Sequence, residues 1–204
     1  MTESNPNARL EAFSDGVFAI ALTLLIIDVR LPSNVSIKST AEFWGALLRI
    51  TPLIFAFVLS FGIILITWVN HHNSFKLLNK SCSAFIYANG LLLLAVAVVP
   101  FPTALLGQYL LTEYAAPAVI LYDSAIALLA LGWIFMTRAA LKYKLGKSEK
   151  AVAIIRENSR YAFIAFPAYV CFAIIAIWFP LAVALVITAI WIFWLVLGIK
   201  LKHE

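Results

Sequence analysis

The chain has 204 residues, of which 64% are apolar and only 12% are charged, and its mean hydropathy is +0.98. This composition leaves too little polar surface to cover a soluble globule, so the sequence indicates an integral membrane protein. The net charge of +5 lies mostly in short loops, a distribution typical of loops that face anionic lipid, and it implies no nucleic-acid partner.

The apolar residues fall into six stretches, each close to the roughly 20 residues needed to cross about 30 Å of hydrocarbon. These stretches are residues 13–31, 51–69, 84–106, 116–137, 160–178 and 180–199. Residues 91–99 are apolar on all sides rather than alternating, which favours helices over strands. The prediction is an all-α integral membrane bundle of six transmembrane helices, a single domain over residues 1–204, in the cell (plasma) membrane.

Basic residues concentrate in the loop after the second stretch and in the loop after the fourth stretch. The positive-inside rule therefore predicts that these two loops and both termini are cytoplasmic. The first stretch is interpreted as a retained helix, because no clear signal-peptide cleavage site follows it. Cys82 and Cys171 have neither metal-motif spacing nor an evident disulfide partner, so no metal site or cofactor is expected from them.

The first stretch begins with charged and polar residues, among them Arg9, Ser14 and Asp15. An ionised carboxylate in hydrocarbon costs about 2.5 kcal/mol or more unless it finds a partner or water, so Asp15 needs an explanation. Two stripes then follow the helix: large residues at positions 13, 17, 20, 24, 27 and 31, and small ones at positions 12, 16, 19 and 23. The small stripe favours close helix packing. The large stripe is typical of a core or lipid face, or of a pore face with a hydrophobic constriction.

A second polar group lies at the end of the second stretch, where Trp68, Asn70 and His71 meet the predicted cytoplasmic boundary. Because Trp68 and His71 are three residues apart, they can share one helical face and donate to Ser14 or Asp15. The spacing therefore allows a polar connection between the first two helices. The alternative is an interfacial tryptophan beside solvated histidines.

Other polar residues and prolines within the apolar stretches are interpreted as structural. Asp123 is expected to be a buried acid with its hydrogen bonds satisfied, in preference to an ion-sensing site, and Asn89 is expected to bend or pack its helix. The prolines within or between the later stretches are expected to mark bends or ends of helices: Pro100, Pro102, Pro167 and Pro180.

The pattern Arg9-x-x-x-Phe13-Ser14-Asp15 on the first predicted helix, together with Trp68-x-x-His71 on the second, resembles the endosomal/lysosomal potassium channel family that lacks a P-loop. The resemblance is closest to its prokaryotic branch, in which each chain carries one six-helix repeat and four chains assemble. It implies a homotetramer in the bilayer, with potassium and other monovalent cations as the permeant partners and no bound cofactor.

The resemblance also implies a role for each signature residue. The first helices of all subunits would line a central pore, with Ile20 as its narrowest hydrophobic point and Thr23, Leu24 and Ile27 as the next pore-facing positions. The Thr23 hydroxyl would give a preference for potassium, which would pass close to it. The structural polar network behind the pore would comprise Arg9, Phe13, Ser14, Asp15, Trp68, Asn70 and His71.

The expected function is a potassium-permeable channel gated by an Ile/Leu constriction, since the sequence contains no Thr-Val-Gly-Tyr-Gly segment for a carbonyl filter. An enzyme is not expected, because no Ser-His, paired-acid or multi-His motif gathers in the sequence. The alternative function is a proton-coupled secondary transporter in which Asp15 and His71 relay protons.

Overall fold

The computed structural model of the chain describes residues 6–31 and 37–200, with side chains described as far as residue 192. The described residues form eight α-helices and no strand, which confirms the predicted all-α class. In chain order they are α1 (Ala8–Leu24), α2 (Thr40–Arg49), α3 (Thr51–Phe75), α4 (Ser83–Val98), α5 (Pro100–Tyr109), α6 (Ala115–Lys142), α7 (Glu149–Ile175) and α8 (Pro180–Lys200). The two chain termini, predicted to be cytoplasmic, lie outside the described residues.

In the part of the chain that the structure describes, four helical segments are long and apolar enough to cross a membrane: α3, α4 joined to α5, α6 and α7. The chain is therefore a multi-pass membrane protein. The helices continue past the predicted apolar stretches on the side of the two basic loops, because α3 runs to Phe75, α6 runs to Lys142 and α7 begins at Glu149. Polar and charged residues thus extend these helices beyond the hydrocarbon thickness.

The first helix differs from its predicted span of residues 13–31. It begins earlier, at Ala8, and ends at Leu24, giving 17 residues, or about 25 Å. Beyond its end the backbone forms tight turns, in which the N–H of Ile27 donates to the carbonyl of Leu24 and the N–H of Val29 donates to that of Ile26, both at 3.1 Å. The β-branched residues of this segment and its charged Asp28 favour helix continuation less than the residues of α1 do.

The short helix α2 was not predicted, because its ten residues are too few and too mixed in polarity to form an apolar stretch. It begins with a side-chain cap, in which the Ser39 hydroxyl accepts the N–H of Glu42 at 3.2 Å. The Glu42 carboxylate in turn accepts the N–H of Lys38 at 2.7 Å. These two bonds satisfy backbone donors at the helix start, in the manner of a capping box.

The predicted effects of the prolines are confirmed at Pro100 and Pro180. The former separates α4 from α5 and the latter begins α8, because proline lacks the N–H that an interior helical position donates. Pro102 lies within the first turn of α5 and Pro167 lies inside α7, so neither of these two prolines ends a helix.

Helix α6 lies at the centre of the subunit, in contact with α4, α5, α7 and α8, whereas α1 packs on α3 and α4. A Cβ atom added at Gly132 of α6 would come within 2.8 Å of the Cα of Leu92, so glycine allows α4 and α6 to approach closely. The two basic loops meet at one end of the bundle. There Asn79 N–H donates to Leu145 and Lys147 N–H donates to Leu77, each at 2.9 Å.

Candidate functional site

One side of α1 is buried in the subunit. Ser14, Phe18, Ala21 and Leu25 recur at four- and three-residue steps, which places them on one helical face, and all four are buried. This face packs against α3 and α4. The buried face therefore fixes which way the rest of α1 points.

The opposite side of α1 is exposed in the single chain. Ile20 is 60% exposed and Leu24 is 40% exposed, and Thr23 lies between them. The stripe of small residues lies on this side too: Ala12, Gly16 and Ala19 are exposed. A Cβ atom added at Gly16 would meet nothing within 4 Å. Among the described residues, the small stripe is thus not a packing surface within its own subunit.

Two of the predicted pore-facing positions have further structural detail. The Thr23 hydroxyl donates to the carbonyl of Ile20 at 2.9 Å, so its oxygen lone pairs remain available on the exposed side. Ile27 is 59% exposed but lies in the turns beyond the end of α1. The helical spacing from Ile20 and Leu24 therefore does not continue to Ile27.

A chain of buried hydrogen bonds connects α3, α4 and α1. The Nε2 of His71 lies 2.7 Å from the Oδ1 of Asn89, and the Nδ2 of Asn89 donates to the Oγ of Ser14 at 3.0 Å. The Ser14 hydroxyl then donates to the carbonyl of Leu10 at 2.8 Å. We call this sequence of bonds, from His71 to Leu10, the α1 polar chain.

The α1 polar chain has a fixed direction. Because the Asn89 amide N–H₂ is directed at Ser14, its oxygen must accept, and His71 must carry a proton on Nε2. His71, Asn89 and Ser14 are each at most 1% exposed. The His71 ring also packs against Phe18 and Phe75, at centroid distances of 5.2 and 4.7 Å. A low-dielectric environment of this kind makes an unpaired member of the chain costly.

Asp15 has a separate partner at the surface. The Trp68 Nε1–H donates to the Asp15 Oδ1 at 2.8 Å, and the Trp68 ring stacks on His72 at 5.9 Å. This bond explains how the acid of the first helix is satisfied. It is a second connection between α1 and α3. On α3 its donor, Trp68, lies about one turn from His71, where the α1 polar chain begins.

The structure brings some of the predicted network residues together and leaves others apart. Ser14, Asp15, Trp68 and His71 all take part in bonds between helices, as just described. Arg9, Phe13 and Asn70 are exposed, and within the described residues no hydrogen bond links any of the three to that network.

Sequence reasoning missed Asn89 as the central member of the α1 polar chain. Without it, His71 and Ser14 share no bond, since each bonds to a different end of the Asn89 amide. The signal was present: a primary amide in the middle of an apolar helix is costly unless both its ends find partners.

A second polar group lies deeper in the subunit, where α3, α5 and α6 meet. The Ser60 hydroxyl lies 2.9 Å from the Tyr122 hydroxyl and 2.7 Å from that of Thr103, and all three side chains are buried. The Thr103 hydroxyl also lies 2.8 Å from the carbonyl of Val99, which accepts the backbone N–H of Thr103 at 3.1 Å as well. We call Ser60, Thr103 and Tyr122 the hydroxyl cluster.

Asp123, next to the hydroxyl cluster in sequence, differs from its prediction as a satisfied acid. It is fully buried, yet neither of its carboxylate oxygens has a hydrogen-bond partner. The prediction was wrong about the bonds because a sequence gives the depth of an acid but not the direction of its side chain.

Cysteines and metal ligands contribute nothing further to these groups. Cys82 and Cys171 are both free thiols. Over residues 6–31 and 37–192, no three His, Cys, Asp or Glu side chains lie close enough to hold a metal ion.

Comparison with known proteins connects this geometry to one family. Residues 9–100, which extend from the second residue of α1 to just beyond the end of α4, match the family described as "Endosomal/lysosomal potassium channel TMEM175". A crystal structure of a lysosomal potassium-selective channel TMEM175 homologue from Chamaesiphon minutus superimposes with a TM-score of 0.78 at 33% sequence identity. That superposition covers 94% of this chain and 99% of the other.

Two curated bacterial proteins named as potassium channels are similar in sequence. One, from Chamaesiphon minutus, is 45% identical over 129 residues, and one from Streptomyces collinus is 41% identical over 135 residues. Each match covers 63% of this chain. The matches span 63% and 64% of the two relatives, slightly under two thirds of their length.

Proposed function

Since the chain belongs to the endosomal/lysosomal potassium channel TMEM175 family, we propose that it forms a potassium-permeable cation channel in the cell (plasma) membrane. In this proposal four copies assemble around a central pore. Each copy crosses the membrane six times, with α1 and α8 as the two spans additional to the four long apolar segments, and with both termini in the cytoplasm.

The exposed side of α1 is the observation that carries this proposal. A single subunit leaves Ile20, Thr23 and Leu24 uncovered on a helix whose other side is buried. Its uncovered surface holds two different stripes, one of large aliphatic residues and one of small residues. Such a surface suits a helix that presents large residues to a pore and small residues to the α1 of the next subunit.

The gate of the proposed channel is a ring of four Ile20 side chains. Aliphatic rings of this kind keep a narrow pore dry, because a hydrated cation must lose water to pass an apolar surface. Opening widens the ring until a largely hydrated cation fits. Leu24, one turn further along α1, extends the dry zone by a second layer.

A preference for potassium comes from Thr23 in this proposal. Its hydroxyl proton is donated to the carbonyl of Ile20, which leaves the oxygen free to face a passing cation. Four such oxygens replace only a small part of a hydration shell, so the selectivity is modest. No resident cofactor is needed, and the cation itself is the only ligand.

The α1 polar chain and the Asp15–Trp68 bond support the gate from behind. They attach α1 to α3 and α4 on the side that faces away from the proposed pore. We assign them to holding α1 in register, so that Ile20 of each subunit meets the others at one level. Arg9, Phe13 and Asn70 lie at the exposed edge of this region and are proposed to act between subunits or at the membrane surface.

The transporter alternative has less support from the geometry. A relay between Asp15 and His71 needs a path for a proton, but the two residues bond to different partners, Trp68 and Asn89. Within the described residues no hydrogen bond joins them. The channel proposal uses both residues as they are bonded.

Bilayer recording of the purified protein under a potassium/sodium bi-ionic gradient tests the proposed function. Unitary currents with a reversal potential displaced toward that of potassium support it. Slow, saturable flux with a fixed proton stoichiometry and without unitary currents would contradict it and favour the transporter.

Ile20→Asn tests the position of the gate. A polar ring at this level wets the constriction, and each reduction of about 1.4 kcal/mol in the barrier raises the conduction rate about tenfold. We expect the basal conductance of Ile20→Asn to be roughly tenfold that of the wild type, which corresponds to a barrier lower by about 1.4 kcal/mol. The matched control is Leu94→Asn on α4, a similarly exposed aliphatic residue outside α1. Equal effects of the two substitutions would remove Ile20 as the gate.

Subunit number is tested by the mass of the protein in nanodiscs that give unitary currents. The proposal expects four copies. A conducting preparation that contains only monomers or dimers would overturn the proposed central pore.

A further inference from the structure

Asp123 occupies an unusual position for an acid. It is fully buried, eight residues into α6, or about 12 Å from the start of that helix. Both of its carboxylate oxygens are buried without any hydrogen-bond donor. An ionised carboxylate in such a place keeps neither its water nor a replacement for it.

The helices around Asp123 provide no positive charge. From their sequences, α4, α5 and residues 180–192 of α8 contain no charged residue at all. The nearest base on α6 is Arg138, fifteen residues away, which corresponds to about 22 Å along the helix. On α7 the last charged residue, Arg160, precedes the level of Tyr169 by about 13 Å.

Among the described residues, two tyrosines interact with Asp123. Tyr122, its neighbour on α6, is bonded to Ser60 and is therefore already engaged in the hydroxyl cluster. Tyr169 on α7 interacts with Asp123 and with Trp191 of α8. The Trp191 ring N–H is also buried, without an aligned acceptor. The tyrosines of α4 and α5, Tyr87 and Tyr109, are exposed.

We propose that Asp123 is a proton-binding site inside each subunit, and that the bound proton keeps α6, α7 and α8 packed together around it. A neutral carboxylic acid needs no counter-charge, which matches an environment that contains none. It also gains an O–H donor, which a carboxylate lacks. Release of the proton as H⁺ leaves a carboxylate that must attract water or move toward it.

The structural consequence lies on α8. Tyr169 of α7 interacts with both Asp123 of α6 and Trp191 of α8, so residues of all three helices meet near the acid. Water that follows an ionised Asp123 would enter between these helices, because α6 is enclosed on its other sides by α4 and α5. This site is separate from α1 and does not depend on which ion the protein conducts.

Infrared spectroscopy of the protein in nanodiscs tests the proposal directly. A protonated carboxylic acid has a C=O stretch that is distinct from the bands of a carboxylate and of the peptide backbone. We expect this band at neutral pH in the wild type, its loss in Asp123→Asn, and its retention in Glu113→Gln. Glu113 is a matched control, because it is an exposed acid ten residues earlier in the chain.

Tyr169→Phe gives a second readout that does not require removal of the acid. Loss of the neighbouring hydroxyl should shift the frequency of the band without abolishing it. A wild-type spectrum without a protonated-acid band at neutral pH overturns the proposal, whether or not Asp123→Asn folds. A band that Asp123→Asn leaves unchanged also overturns it.

Thermal unfolding tests the link to packing. The folded wild type holds a proton that an unfolded aspartate releases, so its unfolding temperature should fall as the pH rises from about 5 toward the pH at which the site itself loses its proton. Asp123→Asn should show a shallower fall over the same range, and Glu113→Gln should follow the wild type. Identical pH profiles of the wild type and Asp123→Asn would contradict a proton-dependent packing role.

Discussion

The subunit contains two buried polar regions that differ in how far their polar groups are hydrogen-bonded. In the α1 polar chain every side chain has a partner: His71 bonds to Asn89, Asn89 bonds to Ser14, and Ser14 bonds to a backbone carbonyl. Around the hydroxyl cluster the three hydroxyls are also bonded, but the adjacent Asp123 has no partner for either oxygen. We call the α1 polar chain the complete region, because every side chain in it has a hydrogen-bond partner, and we call the surroundings of Asp123 the open region.

The difference teaches what each region is suited to do. A fully bonded chain has one low-energy arrangement, so it fixes the rotation of α1 and with it the direction in which Ile20 points. A buried acid without partners has two states of different charge, so it can respond to its surroundings. The first region lies within residues 9–100, where the family match is found, and the second is centred on α6, outside that match.

The largest expected effect is from Asn89→Leu, which breaks the complete region at its centre. The substitution leaves His71 without its hydrogen-bond partner in an apolar environment, at a cost of about 1–3 kcal/mol for the orphaned group, and Ser14 keeps only its bond to the carbonyl of Leu10. We expect a markedly lower unfolding temperature and loss of a defined oligomer in size-exclusion chromatography.

Gly90→Ala is the matched control for Asn89→Leu. It lies at the next position on α4, where an added Cβ would meet nothing within 4 Å. Alanine also favours the helix by about 1 kcal/mol over glycine. The control should be neutral or stabilising. If Asn89→Leu were equally neutral, the α1 polar chain would not be what holds α1 in place.

Much of the fold could be predicted from the sequence, because apolar stretches and helix-breaking residues act locally. The long spans and the breaks at Pro100 and Pro180 follow from hydropathy and from the missing proline N–H. The end of α1 at Leu24 and the existence of α2 could not be predicted in this way. Both depend on a balance of weak propensities near the membrane boundary, where apolar runs give no sharp signal.

The polar sites could be predicted only in part. The helical spacing of Trp68 and His71 correctly indicated that both could face α1, and the structure places Trp68 on Asp15. The contribution of Asn89 and the unpaired state of Asp123 depend on helices far apart in sequence: Asn89 and Ser14 are separated by 75 positions. No local pattern reports which way an amide or a carboxylate points across such a distance.

An intermediate effect is expected from Gly107→Ala, which disturbs the hydroxyl cluster through the backbone. The new Cβ would lie 2.7 Å from the Cα of Leu53, so α5 must move away from α3. Overpacking of this kind costs about 1–3 kcal/mol and should lengthen the bond between Ser60 and Thr103. Gly62→Ala on α3, which meets nothing within 4 Å, is the control. Equal unfolding temperatures for the two variants would show that α3 and α5 do not need this close approach.

The smallest effect is expected from Trp68→Phe, which removes only the surface bond beside the α1 polar chain. Phenylalanine keeps a ring against His72 but cannot donate to Asp15. Because Asp15 is exposed in the subunit, the loss of this bond should cost less than about 1 kcal/mol.

A double-mutant cycle with Asp15→Ala, read out by the unfolding free energy, isolates the coupling between the two side chains. A coupling above about 2 kcal/mol would contradict the exposed geometry, because bonds of that strength to a charged group require a desolvated site. Such a site would exist only if another subunit covered Asp15. The Asp15–Trp68 bond would then belong to the buried complete region, although it lies at the surface of the single chain.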